Sequence, residues 1–314
     1  MNVKRSLVIL FFILTVFPNF AESQQTAGIQ PKELMKKMQS ASKNTKRMRE
    51  TTTIETKSRF QSMTTEGVVD YDFENKIAHS TSVVKACDFN NDPETIKAYE
   101  ELTHKSWEEY KKNSIAMMKN VKTETFCIGD VEYRKIRGKW IKIKSYASPL
   151  VLKMKLHEGS GTEEDAQKMA KENIPAYIIP TLSSVSNSFE NICDHAVISE
   201  GNFTGIPCYI LTLPSGNLSS EISKTPLMQG STMNARNFIS KDNYLPIVVE
   251  TTITSSEHGH NTQTRFTLVT TYPKDKIEVP SELASAQELT DDEFKKLELE
   301  DMLGEFGKVI HAQQ

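Results

Sequence analysis

The sequence predicts an α+β protein built on one large antiparallel β-sheet with helices on one face. Strand-like segments of alternating polar and apolar residues recur from about residue 50 to about residue 272. Short turns join many of these segments, which is typical of antiparallel pairing. The predicted helices precede, interrupt and follow the strands, and regular β–α–β crossovers are missing, which favours a sheet with helices on one face.

The N-terminus has the pattern of a cleavable signal peptide over residues 1–23. Two basic residues precede an apolar run over residues 7–17, which is shorter than the roughly 20 residues that a membrane-spanning helix needs. Small residues at the −3 and −1 positions predict cleavage before Gln24. The alternative is a short buried helix. We expect a periplasmic or secreted protein whose mature chain, residues 24–314, is a single domain without a transmembrane segment.

The mature chain carries little net charge. Removal of Lys4, Arg5 and Glu22 changes the counts from 38 basic and 41 acidic residues to 36 and 40, a net charge of about −4. Surfaces that bind nucleic acid depend on an excess of Lys and Arg to neutralise phosphates. Neither a nucleic acid nor an anionic membrane is therefore expected as the main partner.

The first elements are predicted from their periodicity. Residues 31–49 place apolar side chains at helical spacing, and the β-branched run that follows favours a strand. Residues 66–73 alternate between apolar and acidic side chains, and a turn at residues 75–76 leads to a second strand over residues 77–86. These two strands form an antiparallel hairpin with one polar face.

A long helix is predicted over residues 93–118. Asp92 is a capping acid, and Pro93 occupies the first helical position. Tyr99, Trp107 and Tyr110 recur at helical spacing, whereas the remaining face is charged. At 1.5 Å per residue such a helix would be roughly 40 Å long.

The remaining elements follow from the same two periodicities and from turn residues. They are a strand over 123–128, a hairpin of 131–135 and 140–144 around Arg137-Gly138, a short helix to about 172, an apolar buried loop over 174–180, strands over 189–199, 206–213, 247–254 and 262–272, a polar loop over 215–237, and a C-terminal helix over 290–303.

Four cysteines remain in the mature chain, and an even number in an exported protein favours disulfides. Cys193 and Cys208 flank a predicted turn at Glu200-Gly201, so we expect them to pair across two strands. Cys87 and Cys127 would pair by elimination. The alternative is four free buried thiols. Zinc is not expected, because no two cysteines have the short spacing of a metal knuckle.

Four strand segments share a recognisable order of turns and apolar positions. They are residues 65–72, residues 130–133 leading to Gly138-Lys139-Trp140, residues 205–211, and residues 244–250 followed by a strand with Phe266 and by Val279-Pro280. This pattern, which spans most of residues 50–280, resembles the LolA-like family of bacterial envelope proteins, including mycobacterial lipoproteins that carry lipids. The resemblance implies a curved half-barrel of antiparallel strands, with helices on the concave face and an acyl chain between them. The helical insert and the four cysteines depart from the family pattern.

An apolar concavity under movable helices suits an acyl chain, because burial of each methylene contributes about 0.8 kcal/mol. Packing in an ordinary core is the alternative for every candidate lining residue. The candidates are Val69, Tyr71, Phe73, Ile141, Ile143, Tyr209, Leu211, Phe266 and Leu268.

The sequence contains no nucleophile elbow, zinc-protease motif, phosphate-binding glycine loop or dinucleotide fingerprint. Glu257, His258 and His260 form the one cluster that could hold a metal, but Gly259 and nearby serines favour an exposed hairpin tip. We therefore predict neither an enzyme nor a protein with a metal or other cofactor.

The sequence thus predicts an exported binding protein for a lipid or another hydrophobic ligand. The alternative is an interaction or structural module of the cell envelope, with a filled core. In that case the aromatic residues of the insert would form a docking surface for an envelope protein.

Overall fold

The structure is a computed structural model. It describes residues 28–59, 61–118, 122–144, 148–158, 196–213, 231–257, 260–290, 292–294 and 296–297. The predicted signal peptide, the short helix ending near residue 172 and the loop over 174–180 lie outside these ranges.

In the described ranges, twelve β-strands form one sheet in the order β12-β6-β5-β4-β3-β2-β1-β11-β10-β9-β8-β7. The strands are β1 (Arg47–Lys57), β2 (Gln61–Asp72), β3 (Ile77–Phe89), β4 (Lys122–Ile128), β5 (Val131–Ile136), β6 (Lys139–Lys144), β7 (Val197–Phe203), β8 (Ile206–Leu213), β9 (Ser231–Ser240), β10 (Pro246–Glu257), β11 (His260–Thr271) and β12 (Gln287–Leu289). The helices are α1 (Pro31–Lys43), α2 (Pro93–Thr103), α3 (Trp107–Met118) and α4 (Pro149–Glu158), with a 3-10 helix at Ser281–Ser285.

The sheet confirms the predicted fold class. All neighbouring strands pair antiparallel except the short β12, which runs parallel to β6. β1 joins the two halves of the sheet, since it pairs with β2 on one side and with β11 on the other. A chain segment of about 200 residues therefore separates these two neighbours of β1.

The four helices lie on the same face of this sheet, called the helical face below. α1 packs on β7, β8 and β9, α4 packs on β2, β3 and β4, and α2 and α3 pack on the far ends of β2 and β3. Strand register shows that these clusters lie on one face of the sheet. Met48, which packs beside α4, and Ile239, which packs under α1, point to the same side of the sheet as Leu268. The side on which Phe126, Phe238 and their neighbours pack is called the opposite face.

The first helix ends earlier than its predicted boundary at residue 49. Asn44 caps α1, with its backbone N–H 3.2 Å from the carbonyl of Ala41 and its side-chain amide 3.0 Å from that of Ser40. Residues from Arg47 onward are extended, and Arg47 pairs with Asp72 of β2. These residues form a strand because every second side chain is buried in the core. Local helix propensity does not reveal this burial.

The prediction of one long helix in the insert is wrong. His104 adopts a left-handed conformation with φ 56° and ends α2, a conformation in which histidine is enriched among non-glycine residues. Thr103 Oγ1 donates to the carbonyl of Tyr99 at 2.8 Å, and Trp107 N–H donates to Glu100 Oε1 at 3.0 Å. These bonds satisfy helix-end groups and let α3 fold back, so that Trp107 is only 4% exposed.

Four of the described elements were not predicted: α4, β9, β12 and the 3-10 helix at Ser281–Ser285. α4 was missed because apolar residues surround the helix without a clear stripe. β9 lies where a polar loop was expected, because the polar residues Thr232, Asn234 and Arg236 alternate there with Met233 and Ala235, which the sheet buries. Among the helices of the described ranges, none is both long enough and apolar enough to cross a membrane.

Several predicted hairpins are confirmed. The turns at Lys76 and Arg137-Gly138 contain residues with positive φ, and Gly138 accepts this conformation without steric conflict. The C-terminal helix begins as predicted, since Thr290 and Glu293 cap each other. It is described only to residue 297.

The structure contradicts the predicted cysteine pairing at the cysteines that it describes. Cys127 pairs with Ala78 in β3, and Cys87 lies nine residues further along that strand, about 30 Å away. The predicted bridge between Cys87 and Cys127 is therefore wrong. The predicted turn at Glu200-Gly201 is also wrong: these residues belong to β7, and Gly201 is the neighbour of Cys208. Cys208 is a buried free thiol, and Cys193 lies outside the described residues.

Candidate functional site

All nine candidate lining residues lie on the helical face, but they fall into different groups. Tyr71, Phe73 and Val69 pack against α4, and Tyr209 and Leu211 pack against α1. The other four belong to the outer strands or to the middle of the sheet. Their role in lining a ligand site stays a prediction, whereas their common orientation follows from strand register.

The group under α4 is aromatic. Tyr71 and Phe73 are stacked with ring centroids 5.5 Å apart, and Phe73 stacks on His157 of α4 at 3.5 Å. Val151 and Met154 of the same helix are 1% and 4% exposed. α4 is thus held to the sheet by its own apolar cluster.

The group under α1 is separate from it. Leu34, Met35 and Met38 of the helix bury themselves against Leu211 and Ile239. At the rim, the Tyr209 and Tyr244 rings stack, and Lys37 Nζ lies 5.0 Å from the centre of the Tyr244 ring. On the outer strands, Ile141 and Ile143 form a third cluster with Phe294 of the C-terminal helix.

Between the clusters of α1 and α4 lie β1, β11 and β10. Six side chains of these strands on the helical face form what we call the central stripe, and each is at most 6% exposed. The stripe consists of Thr52, Ile54, Val249, Thr251, Phe266 and Leu268. It combines apolar surface with two threonine hydroxyls, a composition that is typical of sites for mostly apolar ligands.

A buried ion pair stands at one end of the central stripe. Lys153 Nζ of α4 lies 2.5 Å from Glu50 Oε1 of β1, and the two side chains are 13% and 9% exposed. Burial lowers the pKa of Lys153, and the Glu50 carboxylate opposes that shift. Burial, with the charge of Glu50, also raises the pKa of Tyr272. No local pattern predicts this pair, because its members are 103 residues apart.

Two polar atoms beside the α1 cluster are also buried. Thr251 Oγ1 and Asn237 Oδ1 have no hydrogen-bond partner within the described part of the chain. Asn237 was expected in a polar loop, so sequence analysis did not place it on the sheet. Asn237 stands two residues from both Ala235 and Ile239, and this strand periodicity is the signal that could have placed it on the buried face of a strand.

The opposite face carries a cleft of about 340 Å³ between the sheet and residues 273–280. Arg49 and Asp70 form a two-bond ion pair within it, at 2.6 and 3.0 Å. His79 stacks on Phe126 at 4.0 Å, and its Nε2 lies 3.4 Å from a Glu124 oxygen, without the geometry of a hydrogen bond. Burial lowers the pKa of His79, and Glu124 partly offsets this shift.

This histidine leads to a pH prediction. A neutral His79 contributes stability above its ordinary pKa of 6.5, and that contribution is lost as the pH falls through the lowered pKa of the folded protein. The free energy of unfolding should therefore decrease as the pH falls below about 7. Urea titrations should show a smaller fall for His79→Phe, because the variant keeps the ring stack without the titrating group. An equal fall in both proteins would contradict this role.

The two other predicted sites can be placed. Glu257 pairs directly with His260 across β10 and β11, which confirms the hairpin, although residues 258–259 at its tip are not described. In the described ranges no three metal-binding side chains come together. Of the insert aromatics, Trp107 packs inward against Phe89, whereas Tyr110 is 38% exposed.

The described residues define a class: a mostly antiparallel sheet with its four described α-helices, α1 to α4, on one face. No family model and no curated protein matches the chain. Solved structures that are similar include LprF from Mycobacterium bovis, with 10% identity, a TM-score of 0.38, and coverage of 82% of this chain and 99% of that one. For lipoprotein LppX from Mycobacterium tuberculosis the identity is 10%, the TM-score 0.35, and the coverage 79% and 96%. A DUF1329 family protein from Desulfovibrio piger has 9% identity, a TM-score of 0.24, and coverage of 79% and 96%.

Proposed function

We propose that this protein is an exported, non-enzymatic binding protein for a lipid or another hydrophobic ligand in the cell envelope. The observation that carries the proposal is the central stripe, an apolar strip on the helical face between two helices that are anchored separately. LppX is named as a lipoprotein, but the proposal rests on this face and not on that match.

The arrangement suits a long hydrocarbon chain. Ile54, Phe266 and Leu268 lie on neighbouring strands, so a chain laid across them would contact apolar surface along its length. Each buried methylene would contribute about 0.8 kcal/mol. α1 and α4 contact each other, but their apolar side chains pack in different clusters, so local opening of one helix would leave the apolar anchor of the other in place.

A substitution within the stripe region tests the proposal. Ala235 of β9 is 4% exposed and pairs with Thr251, so Ala235→Phe would place a large ring directly beside the stripe. We expect the variant to bind a fluorescent fatty acid at least about tenfold more weakly, a loss of about 1.4 kcal/mol. The neighbouring Asn234→Phe places the same ring on the opposite face and should bind like the wild type.

The measurement has two parts. Native mass spectrometry of the purified protein before and after delipidation detects a ligand that is already bound. Titration with the fluorescent fatty acid then compares the wild type with both variants, and circular dichroism checks that Ala235→Phe still folds, since overpacking typically destabilises a core by about 1–3 kcal/mol. Absence of bound lipid together with absence of fatty-acid uptake would refute the proposal.

A further inference from the structure

Two buried polar atoms on the helical face lack a hydrogen-bond partner among the described residues: Thr251 Oγ1 and Asn237 Oδ1. Asn237 of β9 pairs with Val249 of β10, and Thr251 lies two residues further along β10 on the same face. The two residues are therefore diagonal neighbours, roughly 7–8 Å apart, with their Cβ atoms somewhat closer than that. They meet where the central stripe borders the cluster of α1.

Both atoms are buried, so their lack of a partner does not come from an exposed side chain that happens to point into solvent. Thr251 is 2% exposed. The amide nitrogen of Asn237 is directed at Met38 Sδ of α1, 3.7 Å away, so its carbonyl oxygen is turned from that contact. Native proteins satisfy nearly all buried polar groups, and those that remain call for a water, an ion or a ligand.

We propose that the hydrophobic ligand carries a hydroxyl group on its hydrocarbon chain and that this hydroxyl bridges Thr251 and Asn237. The inference rests on the proposed function and specifies the class of lipid: a hydroxylated acyl chain. The ligand hydroxyl donates to Asn237 Oδ1 and accepts from the hydroxyl of Thr251.

The chemistry of the two atoms selects this group. An amide oxygen only accepts, so the ligand atom facing Asn237 must be a donor. A threonine hydroxyl can donate, so the same ligand atom can also accept. Two hydrogen bonds of about 2.8 Å each fit between diagonal neighbours. An ester or ether oxygen would leave Asn237 unsatisfied, a carboxylate would need its charge buried, and an unsubstituted methylene would satisfy neither atom.

The expected effect is selectivity between lipids that differ in one oxygen atom. A site built to bond a hydroxyl disfavours the analogue that lacks it, because its own polar groups are then buried without partners. We expect the protein to bind a mid-chain hydroxystearic acid at least about tenfold more tightly than stearic acid. A set of isomers with the hydroxyl at successive carbons should show an optimum, because only one position reaches both side chains.

Thr251→Val provides the test, because valine keeps the shape of threonine and removes the hydroxyl. Thr267→Val is the matched control: Thr267 is 5% exposed and lies on the opposite face of β11. Isothermal titration with the two fatty acids should show that Thr251→Val loses most of the preference and keeps its affinity for stearic acid. The control should keep the preference, and Thr251→Val should remain as stable as the wild type or become more stable.

The outcomes separate the two proposals. Equal affinity of the wild type for both fatty acids would overturn this inference and leave hydrophobic binding in place. A preference that survives in Thr251→Val would also overturn it, because the hydroxyl would then be recognised elsewhere. Binding of neither fatty acid would refute the proposed function and this inference with it.

Discussion

Replacement of Lys153 by methionine is expected to lower the free energy of unfolding by about 3–5 kcal/mol. Lys153 and Glu50 are paired at 2.5 Å and are almost fully buried. Removal of the cation leaves the Glu50 carboxylate in an apolar setting beside Tyr71, whose ring lies 4.8 Å from Lys153 Nζ in the native protein. The carboxylate must then either stay charged without a partner or take up a proton.

The double variant Glu50→Leu with Lys153→Met distinguishes this cause from lost packing. It removes both charges, and replacement of a whole buried pair by apolar residues is often neutral or stabilising by about 1–4 kcal/mol. Lys155→Met on the same helix is the control, since the side chain of Lys155 is 28% exposed and lies 3.3 Å from the exposed Asp130, and a solvent-accessible pair contributes at most about 1 kcal/mol. Urea unfolding of the four proteins measures the effect. A Lys153→Met protein as stable as the wild type would contradict the assignment.

This ion pair explains why the site was only partly predictable from the sequence. The orientation of Tyr71 and Leu268 could be predicted, because alternation within one strand assigns each residue to a face. The contact between Glu50 and Lys153 depends on how α4 lies across the sheet. That placement is set by packing between distant segments, and no local pattern encodes it.

The strands and helices were likewise predictable only where a local sequence pattern determines them. The hairpin of β2 and β3 was predictable because its periodicity and its turn at Lys76 agree. β9 was not, because Asn234 and Asn237 disfavour a strand locally, and pairing with β8 and β10 overrides that preference. The break at His104 was missed because the apolar spacing continues through it, while side-chain bonds to backbone groups end α2.

Truncation of Leu34 should weaken the docking of α1 on the sheet. Leu34 is fully buried against the sheet with Leu211 and Ile239, and truncation of a buried leucine typically destabilises by about 2–5 kcal/mol. Because α1 belongs to its own cluster, we expect Leu34→Ala to act mainly on the release of this helix. Hydrogen exchange of the α1 amides should then become roughly 30-fold faster or more, while exchange in β2 and β3 changes little.

The exposed Lys36→Ala on the same helix is the control and should change stability by no more than about 0.5 kcal/mol. If α1 covers the route by which a ligand reaches the central stripe, Leu34→Ala should also take up a fluorescent fatty acid faster than the wild type and Lys36→Ala do. Stopped-flow fluorescence measures that rate. Equal acceleration of exchange in α1 and in the sheet would show that Leu34 supports global folding, and it would remove the reason to regard α1 as a separately moving cover.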